Sequence, residues 1–290
     1  MFITIANDRL TVTIRKIGAE LWSVRGETEY LWQGDPAYWT GRATTIFPYV
    51  ARLNDGRYTA DGEPYRLPIH GFANHCLFTV ARQSKEEVAL ELADSHLTRA
   101  MYPYPFVLGV RYALRGNLLE ITYSVENTGT GAMYFGLGGH PGFNVPLEDG
   151  LRFSDYTLRF DAPCAPRRVL FTPDCFVTGN SEPFPLENGD TLRLRHGLFD
   201  DDAVILRDMA KTVTLAADKG RRGVCVSYPQ MRYLGIWHKP HSDAPYVCIE
   251  PWSSLPARKG ELTELSAQKD LIALGAGEAY RNTWSIEALA

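Results

Sequence analysis

Helical periodicity is scarce in this chain of 290 residues, and no run of about 18 apolar residues occurs, so no membrane-spanning helix is expected. The segment Met1 to Asp8 carries no basic region and no long apolar core, so it does not read as a signal peptide. Cysteine is sparse. Cys76, Cys164, Cys175, Cys225 and Cys248 are odd in number and lack C-x-x-C spacing, which argues against a disulfide framework and against a zinc site. Reduced, buried thiols and a cytoplasmic location are the expectation. A formal net charge of -4 leaves no electrostatic footprint for nucleic acid. No G-x-S-x-G occurs, and Gly136-Leu137-Gly138-Gly139-His140-Pro141-Gly142 lacks G-x-G-x-x-G spacing, so neither a nucleophile elbow nor a dinucleotide loop is read here. His238 and His241 are separated by a proline, which excludes a helical H-E-x-x-H arrangement, and no third ligand stands out. No metal and no organic cofactor are expected.

The dominant period is two. Leu10, Val12 and Ile14 alternate with threonines; Leu119, Ile121, Tyr123 and Val125 alternate with polar residues; Val224, Val226 and Tyr228 alternate with Cys225 and Ser227. Each pattern describes a strand with one buried face. Tyr58 and Tyr65 flank Asp61-Gly62, a short hairpin signal. One short helix is expected over Asp94 to Met101, capped by Asp94 or Ser95 and ended by Tyr102-Pro103; Ala267 to Leu274 fits either type. Pro163 to Pro185 reads as a long loop over a sheet edge. With 25 Gly and 18 Pro punctuating the strands, an all-β sandwich or barrel with few short helices follows.

Two imidazoles sit beside glycine and proline, in Gly138-Gly139-His140-Pro141-Gly142-Phe143 and in Pro68-Ile69-His70-Gly71-Phe72. Both read as turns rather than the inside of a regular element. Such histidines can transfer protons near neutrality, or can be structural groups bonding a loop carbonyl. In Tyr246-Val247-Cys248-Ile249-Glu250-Pro251-Trp252, alternation puts Val247 and Ile249 on one face and Tyr246, Cys248 and Glu250 on the other. Pro251 keeps Glu250 extended and is expected to end the strand. A carboxylate beside a large aromatic is suited to a raised pKa and to work as a base; the alternative is an exposed strand-end Glu. Arg52 offers a rigid fork of donors suited to sugar oxygens, or lies on the surface beside a turn. Of Asp200, Asp201 and Asp202, one could accept hydrogen bonds from sugar hydroxyls. Two histidines and a strand-end carboxylate together suggest acid–base chemistry on a neutral, hydroxyl-rich substrate.

With these residues in view the chain resembles the aldose 1-epimerase (galactose mutarotase) family, closest to its bacterial LacX-like branch. The resemblance runs through Leu31-Trp32-Gln33-Gly34-Asp35-Pro36, Phe47-Pro48 to Arg52, Asp55-Gly56-Arg57-Tyr58, His70-Gly71-Phe72-Ala73, Gly139-His140-Pro141-Gly142-Phe143, Leu234-Gly235-Ile236-Trp237 and Cys248-Ile249-Glu250-Pro251-Trp252. It implies one β-supersandwich domain over residues 1–290, a monomer or homodimer, and anomer interconversion of a small-molecule aldose without metal or cofactor. It implies Glu250 as general base, His140 as general acid, and Arg52, His70, Asp202 and Trp237 as substrate contacts, Asp202 being chosen over Asp201. Asn74-His75 stands where the branch often carries an Arg-Asp pair.

Two other functions stay open: a non-catalytic carbohydrate-binding or sensing protein on the same scaffold, and a hexose-6-phosphate epimerase. The latter needs a cationic pocket, for which Arg42, Arg57, Lys239 and Arg258 are available. Because Arg52 is the one cation matched to the cleft, a preference for neutral aldohexoses is expected.

Overall fold

A computed structural model describes all residues 1–290. Two large antiparallel sheets pack face to face. One has nine strands, in the order Thr191–Arg193, Tyr156–Phe160, Thr212–Ala217, Gly223–Ser227, Ala279–Leu289, Leu118–Asn127, Phe106–Arg115, Glu87–Ala93 and Thr79–Gln83. The other has seven, in the order Val177–Pro183, Arg167–Phe171, Val204–Arg207, Tyr233–Trp237, Tyr246–Trp252, Gly138–Asn144 and Ala43–Ile46. The one α-helix, His96–Met101, is capped by Ser95. The Asp61-Gly62 hairpin forms between Arg57–Ala60 and Glu63–Arg66, both turn residues having positive φ, as its short loop demands.

Alternation decides what each sheet buries. Val204, Leu206, Leu234, Ile236, Val247 and Ile249 of the seven-stranded sheet join Ile121, Tyr123, Val213, Val226 and Trp284 of the nine-stranded sheet in one cluster of 69 buried residues. The residues between them, Ile205, Gly235, Cys248 and Glu250, therefore face away from the sandwich core. Over that second face the chain adds only two small apolar clusters. One is centred on Ile205 and Trp252, the other on Trp32, Tyr246 and Cys248.

Three sequence expectations are corrected. The Gly138–Asn144 segment is a strand, not a turn. Its glycines make room for rings on both faces. A Cβ on Gly139 would lie 2.6 Å from Trp284 Cζ2 in the core, and one on Gly142 would lie 3.2 Å from Trp39 Cζ3 on the other side. Pro163 to Pro185 is not one long loop but contains a paired hairpin, Arg167–Phe171 with Val177–Pro183, at the sheet edge where proline costs no ladder bond. Pro251 does not end its strand, which continues to Trp252. The ambiguous Ala267–Leu274 stretch divides into a 3₁₀ turn, Leu265–Ala267, and a short strand, Ile272–Leu274.

Candidate active site

The register Gly138↔Trp252 and Gly142↔Cys248 sets His140 directly opposite Glu250 in the seven-stranded sheet. On its other side Glu250 pairs with Gly235. A Cβ at 235 would stand 3.2 Å from Glu250 Cβ, so the glycine keeps the floor beside the carboxylate open. Glu250 Oε2 lies 3.2 Å from His140 Nε2, with the two side chains 2% and 11% exposed. Neither Glu250 Oε2 nor His140 Nδ1 makes a hydrogen bond within the protein, an uncommon condition for buried polar atoms.

Electrostatics push the pair toward holding one proton. Burial, and then the nearby Asp202 carboxylate, raise Glu250 well above the usual carboxylate range, with the Trp252 indole pulling slightly the other way. Burial and the neighbouring His70 lower His140 well below an ordinary imidazole. Each group resists its charged form, while the 3.2 Å contact favours the state in which both are charged. Either way the pair carries a single shared proton over the range between its two titrations.

The walls come from distant parts of the chain. Trp39 stacks on the His140 ring at 4.9 Å, and Trp237 meets both rings edge-on at 5.7 and 5.8 Å. The His70 ring stands 5.3 Å from that of His140. His70 lies in a turn, as its sequence context predicts, with φ of 64°. Gly71 after it cannot carry a side chain, because a Cβ there would fall 2.2 Å from the Phe47 carbonyl oxygen. His70 Nδ1 accepts a hydrogen bond from the Ala51 N–H, which leaves Nε2 as the donor. Burial and Arg52 lower this imidazole to about 4. His70 is thus a neutral donor at physiological pH.

Arg52 reaches the same cavity, one Nη1 donating to the Asp174 carbonyl at 3.2 Å. Asp202 Oδ2 accepts from the Cys175 thiol at 2.9 Å, and its Oδ1 accepts from the Ala203 N–H. Four residues of this cavity, Ala51, His70, Cys175 and Asp202, hold positive φ. Such clustering of sparsely populated backbone conformations is characteristic of sites whose geometry the surroundings enforce.

The cavity of about 280 Å3 thus gathers Glu250, His140, His70, Arg52, Asp202 and Trp237, every site residue expected from sequence. Asp201 also lines it but is exposed, whereas Asp202 is half-buried. Trp39, Cys175, Phe171 and Ile205 line it too and escaped sequence reasoning. They converge from separate loops and strands, and no local periodicity marks them. Arg42, Arg57 and Lys239 are engaged elsewhere, with Trp22 and Gln33, with Asp55, and with the Ala37 carbonyl. Asn74 and His75 form a 3₁₀ turn against Gly18 and do not line the cavity.

His238 and His241 do not converge: His238 meets His196 Nδ1 at 3.1 Å, while exposed His241 approaches Asp200. Ligand-type atoms of His140, Cys248 and Glu250 lie within 4.8 Å of one another. Burial, and then the neighbouring Glu250, hold the Cys248 thiol well above its ordinary pKa. The arrangement sets a carboxyl beside an imidazole, two groups able to exchange protons, in a cavity lined by Trp39, Trp237 and Trp252 and by the polar side chains of Arg52, His70 and Asp202.

Comparison with known proteins identifies the family. The profile of the family "Aldose 1-epimerase" matches residues 1–286. Two LacX proteins of Lactococcus lactis subsp. lactis, chromosomal and plasmid, are each 32% identical over 266 residues, covering 88% of this chain and 88% of theirs. A galactose mutarotase related enzyme from Lactobacillus acidophilus superposes with a TM-score of 0.95 at 32% identity, over 100% of this chain and 98% of that one. A galactose mutarotase-like protein from Lactobacillus casei does so with 0.93 at 31%, over 99% and 100%. The chain belongs to the aldose 1-epimerase family.

Proposed function

We propose that this protein interconverts the α and β anomers of a free aldohexose by opening and reclosing its ring. Glu250 takes the proton of the C1 hydroxyl while His140 gives a proton to the ring oxygen, and the C1–ring oxygen bond breaks to leave the open aldehyde. Rotation about C1–C2 presents the other carbonyl face. The ring hydroxyl then adds to C1 as His140 takes back its proton and Glu250 returns one to O1. Protons balance across the cycle, so the chemistry requires no cofactor. The observation that carries the reading is the buried His140–Glu250 pair, 3.2 Å apart. Both oxygens on a hemiacetal carbon must be served at once, and a proton acceptor adjacent to a donor can do this.

The other roles follow from the geometry. Neutral His70 donates through Nε2, and Arg52 donates from its guanidinium, to ring and hydroxyl oxygens. Asp202 accepts from hydroxyls. Trp237 and Trp39 offer flat faces to the apolar side of the sugar ring. One core cluster shared by both sheets supports reading residues 1–290 as one domain. Arg52 is the only cation lining the cavity, against Asp201, Asp202 and Glu250, and this favours neutral sugars over phosphate dianions.

Magnetisation-transfer NMR at equilibrium tests the reading. Galactose or glucose should show α–β exchange that grows in proportion to enzyme, with the 6-phosphates slower. Absence of enzyme-dependent exchange for every aldose would refute it, and faster exchange of the 6-phosphates would overturn the neutral preference.

A further inference from the structure

A histidine that moves protons needs its ring held in one orientation, and the usual device is a hydrogen bond on the nitrogen that does not react. His140 lacks that device. Its Nε2 faces Glu250 Oε2 at 3.2 Å, while its Nδ1 makes no hydrogen bond to another residue. The titratable groups beside the imidazole are Glu250 and Cys248 of the neighbouring strand and His70 of its turn, and none of them bonds Nδ1. Rotation of a histidine ring about Cβ–Cγ is intrinsically soft, so packing must supply the restraint. Trp237 and His70 meet the ring at 80° and 82°. Trp39 alone lies face to face with it, at 4.9 Å and 29°. A stacked face opposes rotation most directly, because any turn drives the imidazole edge into the indole.

The place of Trp39 is itself built. Asn144 is the cross-strand partner of Tyr246, so Tyr246 and His140 stand four residues apart along the sheet, about 13 Å. Trp39 fills that interval, stacking on Tyr246 at 5.8 Å and 28° as well as on His140. Two glycines make room for it. A Cβ on Gly142 would lie 3.2 Å from Trp39 Cζ3, and one on Gly41 would lie 2.4 Å from Trp39 Cζ2. The backbone is fixed as well: the Trp39 carbonyl accepts from Trp32 Nε1 at 2.8 Å, and the Trp32 N–H donates to the Gly142 carbonyl. Outside the cavity the same loop is tied down twice. The Tyr38 hydroxyl donates to Asp243 Oδ1, and Lys239 Nζ donates to the Ala37 carbonyl, each at 2.9 Å.

We infer that Trp39 is the positioning residue of the general acid: its indole, in place of a hydrogen bond, holds the His140 ring with Nε2 toward Glu250. The inference rests on the proposed anomer-exchange reading and adds to it a residue that acts through His140. This role is separate from offering a face to the sugar. A sugar platform changes how tightly substrate binds, whereas a misdirected acid changes turnover.

The test measures kcat and KM for anomer exchange in Trp39→Leu, Trp39→Phe and Gly41→Ala. Trp39→Leu should lower kcat roughly 10- to 100-fold, the cost of a reacting group misplaced by up to an ångström. Trp39→Phe keeps a flat ring on the imidazole and should hold kcat within about 3-fold of wild type. Gly41→Ala leaves every cavity residue in place but forces the indole to shift, and it should lower kcat in the same direction. Combined with Trp39→Leu it should add nothing, since both act through one ring. A loss confined to KM, or equal losses in Trp39→Leu and Trp39→Phe, would overturn the inference while leaving anomer exchange standing. A crystal structure of Trp39→Leu decides independently of turnover. His140 turned from Glu250, or present in two orientations, sustains the inference; His140 unmoved removes it, whether or not any aldose is exchanged.

Discussion

Glu250 and His140 are cross-strand neighbours whose side chains meet at 3.2 Å on the open face of the seven-stranded sheet. The pair is held there by backbone pairing rather than by loops, so its spacing is fixed by sheet geometry. Their titrations are displaced in opposite directions, Glu250 upward and His140 downward. A bell-shaped dependence of kcat/KM on pH is expected. The acid limb marks entry of a second proton into the pair and the alkaline limb marks loss of the first. A monotonic profile across the accessible range would contradict a pair sharing one proton.

Burying Glu250 should also cost stability, with a sign that pH reveals. A carboxyl with a raised folded pKa holds its proton more tightly when folded, so stability falls as pH rises from the ordinary carboxylate range to the raised value. His140, displaced downward, adds a stability that increases with pH only up to its ordinary value of 6.5. Above that, the Glu250 effect acts alone. Thermal denaturation of Glu250→Gln should therefore show a Tm advantage over wild type that widens as pH rises from the ordinary carboxylate range toward the raised value. A gap that narrows with rising pH would mean the carboxyl is stabilised as the anion.

His70 should matter as a hydrogen-bond donor and not as a titrating group, because its imidazole is lowered to about 4. Asparagine tolerates the positive φ at this position. His70→Asn is expected to reduce kcat/KM roughly 5- to 30-fold, the worth of one or two hydrogen bonds at ~1 kcal/mol each. Both pH limbs should stay where they are. A shifted limb would assign His70 a proton-transfer role.

Asp202 is clasped by Cys175, two residues from separate loops joined at 2.9 Å. The thiol, pushed up to about 11 by burial and by Asp202 itself, stays protonated and donates. Cys175→Ala should raise KM roughly 5-fold, for one lost hydrogen bond of ~1 kcal/mol, with kcat little changed, and Cys175→Ser should restore it. Equal behaviour of the two variants would show that the contact does not position Asp202.

Gly235 tests how open the floor must be. An alanine Cβ would stand 3.2 Å from Glu250 Cβ, 3.3 Å from Ile205 Cδ1 and 3.4 Å from Trp252 Cζ2. Displacing the carboxyl by a fraction of an ångström should cost roughly 10- to 100-fold in kcat/KM, with Tm nearly unchanged. Retained activity in Gly235→Ala would indicate that the substrate does not use this part of the floor.

Much of the fold was legible because period-two alternation reports burial directly. The parity of Val247 and Ile249 against Cys248 and Glu250 is the one seen in the sheet. His140 was identifiable as a residue but misplaced as an element. Glycine signals a turn when it relieves backbone strain, yet in Gly138–Asn144 it admits Trp39 and Trp284 against the two faces of a strand. Sequence cannot distinguish those uses, because the rings come from residues about a hundred or more positions away. Trp39 and Cys175 are unreadable for the same reason: they join the cavity through contacts with residues distant in sequence, Trp39 with His140 and Trp237, and Cys175 with Asp202. Pro163 to Pro185 reads as a loop because proline weakens a strand assignment, and only the sheet order reveals that this hairpin occupies an edge.

The most direct measurement is polarimetry on freshly dissolved α-glucose and α-galactose, with wild type and Glu250→Gln at equal concentrations of folded protein. The account predicts that wild type hastens the approach to anomeric equilibrium in proportion to its concentration. It predicts that Glu250→Gln loses about 10²- to 10⁴-fold of that acceleration, the contribution of one positioned acid–base group. Near-native rates in a folded Glu250→Gln protein would contradict it.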